Sequence, residues 1–179
     1  PNAEFFNMIL KTLNELPFIA EDLGEITADV EILRSKFNLP GMKVLQFAFG
    51  DDLVSSPHIP HNFDSINCIV YTGTHDNNTL IGWFNDELDA AGKERLNIYS
   101  GTSVSENNVN RVLARLCYSS VAKTVILPMQ DILGLQKNTR MNTPGTNSGN
   151  WLWRLQTEDC DFNLIKWLST ETEMYGRSF

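Results

Sequence analysis

The chain has 179 residues, 42% of them hydrophobic and 20% charged. That is enough for one domain with a sizeable core and too apolar for a disordered segment. The net charge of −8 and isoelectric point near 4.8 argue against a nucleic-acid groove or an anionic membrane surface, because both need a basic face. Cys68, Cys117 and Cys160 have neither zinc spacing nor the even count of a disulfide framework, so reduced thiols in a cytoplasmic setting are expected. No stretch is long and apolar enough to span a bilayer, and no signal peptide is visible. The chain starts at Pro1, and its first residues read as the inside of a helix. A piece of a longer protein is expected.

Phe5, Phe6, Ile9, Leu10 and Leu13 fall at helical spacing, and Leu16-Pro17 should end that helix. Phe18 to Ala20 reads as a short strand closing on Glu21-Asp22. Thr27 is a candidate N-cap for a helix that uses Ile26, Val30, Leu33 and Phe37. A second strand is expected over Lys43 to Phe49, then a long loop from Gly50 to Asn67 that holds Pro57, His58, Pro60 and His61. Cys68 to Tyr71 should be a third, buried strand. It stops at Thr72-Gly73-Thr74, and His75-Asp76 lead into a helix that carries Leu80, Trp83 and Phe84. A polar helical stretch follows to about Ser100, and Ser105 is read as the N-cap of a helix buried through Val109, Val112, Leu113, Leu116 and Cys117. Thr124 to Leu127 is the fourth expected strand. Lys137 to Asn150 is a polar loop, and Phe162 to Met174 a last helix packed through Ile165 and Leu168.

Strands alternating with helices imply an α/β fold with a parallel sheet. Four such units are half of an eight-stranded α/β barrel, and the chain is too short for the whole.

In such barrels chemistry sits at the C-terminal ends of strands. Glu21 and Asp76 occupy equivalent strand ends, and paired carboxylates suit glycosidic chemistry, in which one gives a proton and others stabilise positive charge. Plainer readings stand beside this. Asp76 could cap its helix, Glu21-Asp22 could be solvated turn residues, and His75 could be a satisfied core histidine. His58 and His61 lack a third ligand at metal spacing, so no metal is expected. Ten Phe, four Trp and four Tyr suit a ligand with apolar faces, such as a sugar ring, or simply a core.

Five patterns occur in order: Ala20-Glu-Asp-Leu-Gly24, Pro40-Gly-Met-Lys-Val-Leu-Gln-Phe47, Gly73-Thr-His-Asp-Asn77, Pro128-Met-Gln-Asp-Ile-Leu-Gly-Leu135, and Arg140-Met-Asn-Thr-Pro-Gly-Thr146 leading into Gly149-Asn-Trp-Leu-Trp-Arg154. Together they closely resemble the C-terminal part of 4-α-glucanotransferases, also called amylomaltases, of the α-amylase clan. The resemblance runs from about Phe5 to Arg177. It implies retaining transfer of α-1,4-glucan segments between maltooligosaccharides, with no cofactor. By motif match it implies Glu21 as general acid/base and Asp76 as transition-state stabiliser. It implies His75, Asp22, Phe47 and Asn142 as sugar-binding residues, with Asn77 and Gln130 as neighbouring candidates.

The chain also departs from the family pattern. The family's nucleophilic Asp precedes the acid/base on an earlier strand, and nothing before Glu21 supplies it. The piece is therefore expected to need the N-terminal half of its own barrel and to be inactive alone. Three rivals remain: a hydrolase of the same clan, a non-catalytic carbohydrate-binding module, and a His-Asp metal phosphohydrolase that would need ligands not found here.

Overall fold

A computed structural model describes residues 2–177; Pro1 lies outside them. The first helix, α1 (Ala3–Leu13), has its own cap: the Asn2 side chain accepts from the amides of Glu4 and Phe5. It ends at Asn14 in a left-handed conformation, earlier than Leu16-Pro17. α2 (Ala28–Lys36) starts after Thr27 as expected, but the Thr27 hydroxyl makes no capping bond and no residue of α2 is buried. Val30 and Leu33 instead face an open apolar groove shared with Phe5, Phe6 and Phe18.

The sheet is parallel, with β1 (Gly41–Val44), β2 (Cys68–Tyr71) and β3 (Thr124–Ile126) side by side in chain order. Gly41 pairs with Cys68, and Ile69 with Thr124. Among the described residues it has three strands, not the four expected. Phe18 to Ala20 forms no strand and meets the sheet region through a bond from the Ala20 amide to the Pro40 carbonyl. In a parallel ladder the Met42 amide would answer to the Ala20 carbonyl, but it donates instead to the Asp22 carboxylate at 2.6 Å, so no ladder forms there. The expected strand over Lys43 to Phe49 is also shorter. After Val44 the chain turns through a 3-10 segment, Leu45–Phe47. Leu45, Ala48 and Phe49, all fully buried, recur at helical rather than alternating spacing, and this turn seats all three in one core.

That core lies on one side of the sheet. Cys68 and Val70 point into it and meet Leu80, Trp83 and Phe84 of α3 (Leu80–Asp86), Leu96 of α4 (Ala90–Ser100), and Val109, Leu113 and Cys117 of α5 (Val109–Ser119). Each large side chain buried there contributes about 1.5–3 kcal/mol. The α5 stripe is as the periodicity indicated, but Asn108 rather than Ser105 holds the N-cap position, and the Ser105 carbonyl accepts from the Val109 amide. α6 (Met129–Leu133) follows β3, and α7 (Phe162–Met174) packs through Leu164 and Glu171, not Ile165, which is exposed. Arg115 donates to Glu171 at 2.7 Å, and the Arg111 guanidinium lies 3.7 Å from the Trp167 ring centre.

Alternation along the strands turns Met42, Tyr71 and Ile126 the other way. These three line a cleft instead of a second covered layer, and Ile126 remains 41% exposed.

Candidate active site

The turn that follows β2 is built from its own polar residues. Gly73 leaves no room for a side chain, since a Cβ there would sit 2.7 Å from Gln46 Nε2. Asn77 Oδ1 accepts from both the amide and the hydroxyl of Thr74, at 2.8 and 2.9 Å, and closes the turn on itself. Thr79 then caps α3 by accepting from the Gly82 amide. Asp76 is therefore not the helix cap that its position would also have allowed.

A second segment crosses over this turn and grips it. The Asn142 amide donates to the His75 carbonyl at 3.1 Å, and its side-chain Nδ2 donates to Asp76 Oδ1 at 2.6 Å. Arg140 donates to the Asp76 carbonyl at 2.7 Å and to the Asn142 carbonyl at 2.9 Å. The His75 ring lies 3.4 Å from Asp76 Oδ1 through Nε2. The Trp151 ring packs against that imidazole, with centroids 5.1 Å apart and planes inclined by 37°. Trp151 adopts φ +63, and its amide donates to the Met141 carbonyl at 2.7 Å. That bond fixes an unusual backbone, and the conformation places a large aromatic face at the cleft.

The cleft has a volume of about 940 Å³. Glu21, Phe47, His75, Asp76, Gln130 and Trp151 are on its walls, so the structure brings together the two carboxylates that lie far apart in the chain. Glu21 is exposed, accepts a bond from the Leu23 amide at 3.2 Å, and makes no ion pair among the described residues. Phe47 is 45% exposed, aimed outward by the 3-10 turn and steadied edge-on by His58 at 5.4 Å.

Asp22 is placed differently from the other sugar-site candidates. Its carboxylate accepts from the Met42 amide at 2.6 Å and lies 3.5 Å from Arg34 Nε. It is not among the cleft-lining residues, and a Cβ at Gly41 would collide with it. Asp22 thus anchors the Glu21 segment to the start of β1. Asn142 reaches the site through Asp76 rather than by lining the cleft. Asn77 and Gln130 also line the cleft; Gln130 is otherwise buried and donates to the Thr139 carbonyl at 3.1 Å.

His58 and His61 have structural partners. His58 Nδ1 accepts from the Val44 amide at 3.2 Å, which requires neutral imidazole at that nitrogen, and burial pushes its pKa down. His61 Nδ1 lies 3.3 Å from the Tyr99 hydroxyl.

Sequence reasoning missed Trp151, Arg140 and Asp131 as parts of the site. All three lie in recognisable motifs, but nothing local indicates that the loop carrying Arg140 and Trp151 folds back over His75-Asp76. Asp131 is 4% exposed, and burial raises its carboxyl from 3.8 to about 6. A run of Pro, Met, Gln and Asp does not announce a buried acid.

The cleft thus joins two carboxylates, an imidazole and the rings of Phe47 and Trp151 in one open space. The family model described as 4-alpha-glucanotransferase matches residues 1–159. A 4-alpha-glucanotransferase from Synechocystis is 48% identical over 99% of this chain and 35% of its own length. The chloroplastic/amyloplastic 4-alpha-glucanotransferase of Solanum tuberosum is 44% identical over 99% of this chain and 31% of its own length. The solved amylomaltase of Streptococcus agalactiae, in complex with acarbose, superposes with a TM-score of 0.93 at 37% identity, covering 100% of this chain and 36% of that one. The chain spans about a third of the length of the relatives it matches. On site, fold and sequence together, it belongs to the 4-alpha-glucanotransferase family.

Proposed function

We propose that this chain is the C-terminal half of a (β/α)8 barrel whose full-length protein transfers α-1,4-glucan segments between maltooligosaccharides, and that the cleft holds the scissile linkage. The observation that carries the reading is the meeting of Glu21 and Asp76 on one open cleft with aromatic walls. A carbohydrate-binding module has no need of two such carboxylates.

The chemistry takes two displacements. A carboxylate from the remainder of the longer protein attacks the anomeric carbon as the glycosidic C–O bond breaks. Glu21, protonated, gives its proton to the departing oxygen. A hydroxyl of a second glucan then attacks the same carbon. The ester bond to the nucleophile breaks, and Glu21, now a carboxylate, takes the hydroxyl proton. Among the described residues Glu21 makes no ion pair and is exposed at the cleft, where a sugar oxygen can reach it. Asp76, oriented by Asn142, stabilises the positive charge that develops on the ring. His75 offers a donor to sugar hydroxyls, and Phe47 and Trp151 present apolar faces to sugar rings. Asp22 serves by holding the Glu21 segment.

Residues 2–177 bring Glu21 and Asp76 to the cleft as its acidic groups, so the third carboxylate is assigned to the rest of the barrel. A reducing, cytoplasm-like compartment is supported by the three free cysteines, and among the described residues no helix is long and apolar enough to cross a membrane. The test is product analysis of the full-length protein with maltotriose. Glucose together with longer oligosaccharides is expected. Shorter fragments alone would assign a hydrolase, and no turnover would refute the reading.

A further inference from the structure

Asp131 stands outside the cleft chemistry, yet both ends of the His75-Asp76 turn hang on it. Its Oδ2 accepts from the Thr72 hydroxyl at 2.6 Å, where β2 ends. Its Oδ1 accepts from the Leu80 amide at 2.8 Å, where α3 begins. Thr72 and Leu80 are fully buried, and the turn that carries His75 and Asp76 is the stretch between them. Asp131 is itself fixed from behind: its carbonyl accepts from Asn110 Nδ2 of α5 at 3.0 Å. A Cβ at Gly134, which closes α6, would stand 3.0 Å from that same amide. One buried carboxylate thus joins the second strand, the third helix and the segment after the third strand.

We infer that Asp131 is a positioning residue, a two-armed staple that sets the height and tilt of the His75-Asp76 turn over the cleft. This rests on the reading of the cleft as a glucan-transfer site. A carboxylate fits the task because its two oxygens accept two donors at once and need donate nothing. A hydroxyl and an amide, one on each side of the turn, match that capacity. Removing Asp131 leaves two buried donors unpaired, and removing the Thr72 hydroxyl leaves a buried carboxylate oxygen short of its donor, so the turn must move to find water. A displacement of about 1 Å at a catalytic group costs on the order of a hundredfold in rate.

The experiment uses the full-length protein with three variants. Asp131→Ala removes both arms. Thr72→Val removes one arm at constant volume and serves if Asp131→Ala does not fold. Asp131→Asn keeps an acceptor for Leu80 and offers its NH₂ to the Thr72 oxygen. With maltotriose, kcat is expected to fall about tenfold or more in Asp131→Ala and several-fold in Thr72→Val, while KM stays within about threefold. Asp131→Asn is expected to retain kcat within about threefold, because hydrogen bonding and not charge does the holding. Amide hydrogen exchange across residues 73–79 is expected to rise about tenfold in the two staple-breaking variants, without a matching rise in α4.

Unchanged exchange across the turn would overturn the proposal whatever the activity. So would a kcat loss that Asp131→Asn fails to rescue, or a fall in melting temperature with kcat intact. If the wild-type protein shows no transfer while exchange responds as described, the glucan reading fails and the staple stands.

Discussion

Replacing Asn142 tests how Asp76 is held. Its side chain donates to Asp76 Oδ1 at 2.6 Å, while its backbone amide separately donates to the His75 carbonyl at 3.1 Å. Asn142→Ala therefore removes the contact to the carboxylate and leaves the crossing segment in place. A hydrogen bond to a charged group is worth about 1.5–3 kcal/mol. The Asp76 side chain is 49% exposed, so water partly substitutes and the lower end applies. About 1.5 kcal/mol corresponds to about a tenfold loss in kcat/KM. Asn142→Asp removes the same bond and adds a second negative charge about 4 Å away, a repulsion of about 1–4 kcal/mol between the limits of water and protein surface. Its loss should therefore exceed that of the alanine variant by about fivefold or more. Glucose release from maltotriose by the full-length protein measures both. An Asn142→Asp enzyme as active as wild type would refute the assignment of Asp76 to charge stabilisation.

Three further outcomes are expected. Phe47→Ala should raise KM for maltooligosaccharides several-fold with little effect on the urea midpoint, because the ring is 45% exposed and its burial comes with the ligand; an unchanged KM would remove Phe47 from the sugar site. Burial raises the Asp131 carboxyl from 3.8 to about 6, so the folded protein keeps a proton that the unfolded chain releases between those values. Stability from this group is full below about pH 4 and is lost as the pH rises through 6, by about 3 kcal/mol at 1.36 kcal/mol per unit. Asp131→Asn should lack that slope, and urea titrations of both proteins at pH 4 and pH 7 would show it; His58, whose lowered pKa makes it favour higher pH, is common to both and cancels. The 179-residue chain alone should show no maltotriose disproportionation, and robust turnover by it would contradict the placement of the nucleophile elsewhere.

Much of the fold was legible because burial here follows simple periods. α5 carries its apolar residues at helical spacing and buries them, and Cys68–Tyr71 is a short apolar run in the middle of the sheet. The edges were less legible. Phe18 to Ala20 has strand-like residues, but the Met42 amide that would continue a ladder from the Ala20–Pro40 bond is taken by the Asp22 side chain. Lys43 to Phe49 reads as one strand by composition, yet Leu45, Ala48 and Phe49 share one core and pull the chain into a turn.

At the site, Glu21 and Asp76 could be found from their places after apolar runs, and motif order named the family. Asp22 could not be separated from Glu21 by sequence, because its fate depends on the Met42 amide and Arg34. Trp151 and Asp131 act across long sequence distances through contacts that no local pattern records.

The account turns on Glu21 handling the proton in both displacements. Glu21→Gln in the full-length protein keeps the shape of the side chain and removes its acid–base function. Measured with maltotriose, transfer should fall by about a thousandfold or more, while binding of a maltooligosaccharide, followed by calorimetry, stays within about threefold of wild type. A Glu21→Gln enzyme that transfers glucan at the wild-type rate would contradict it.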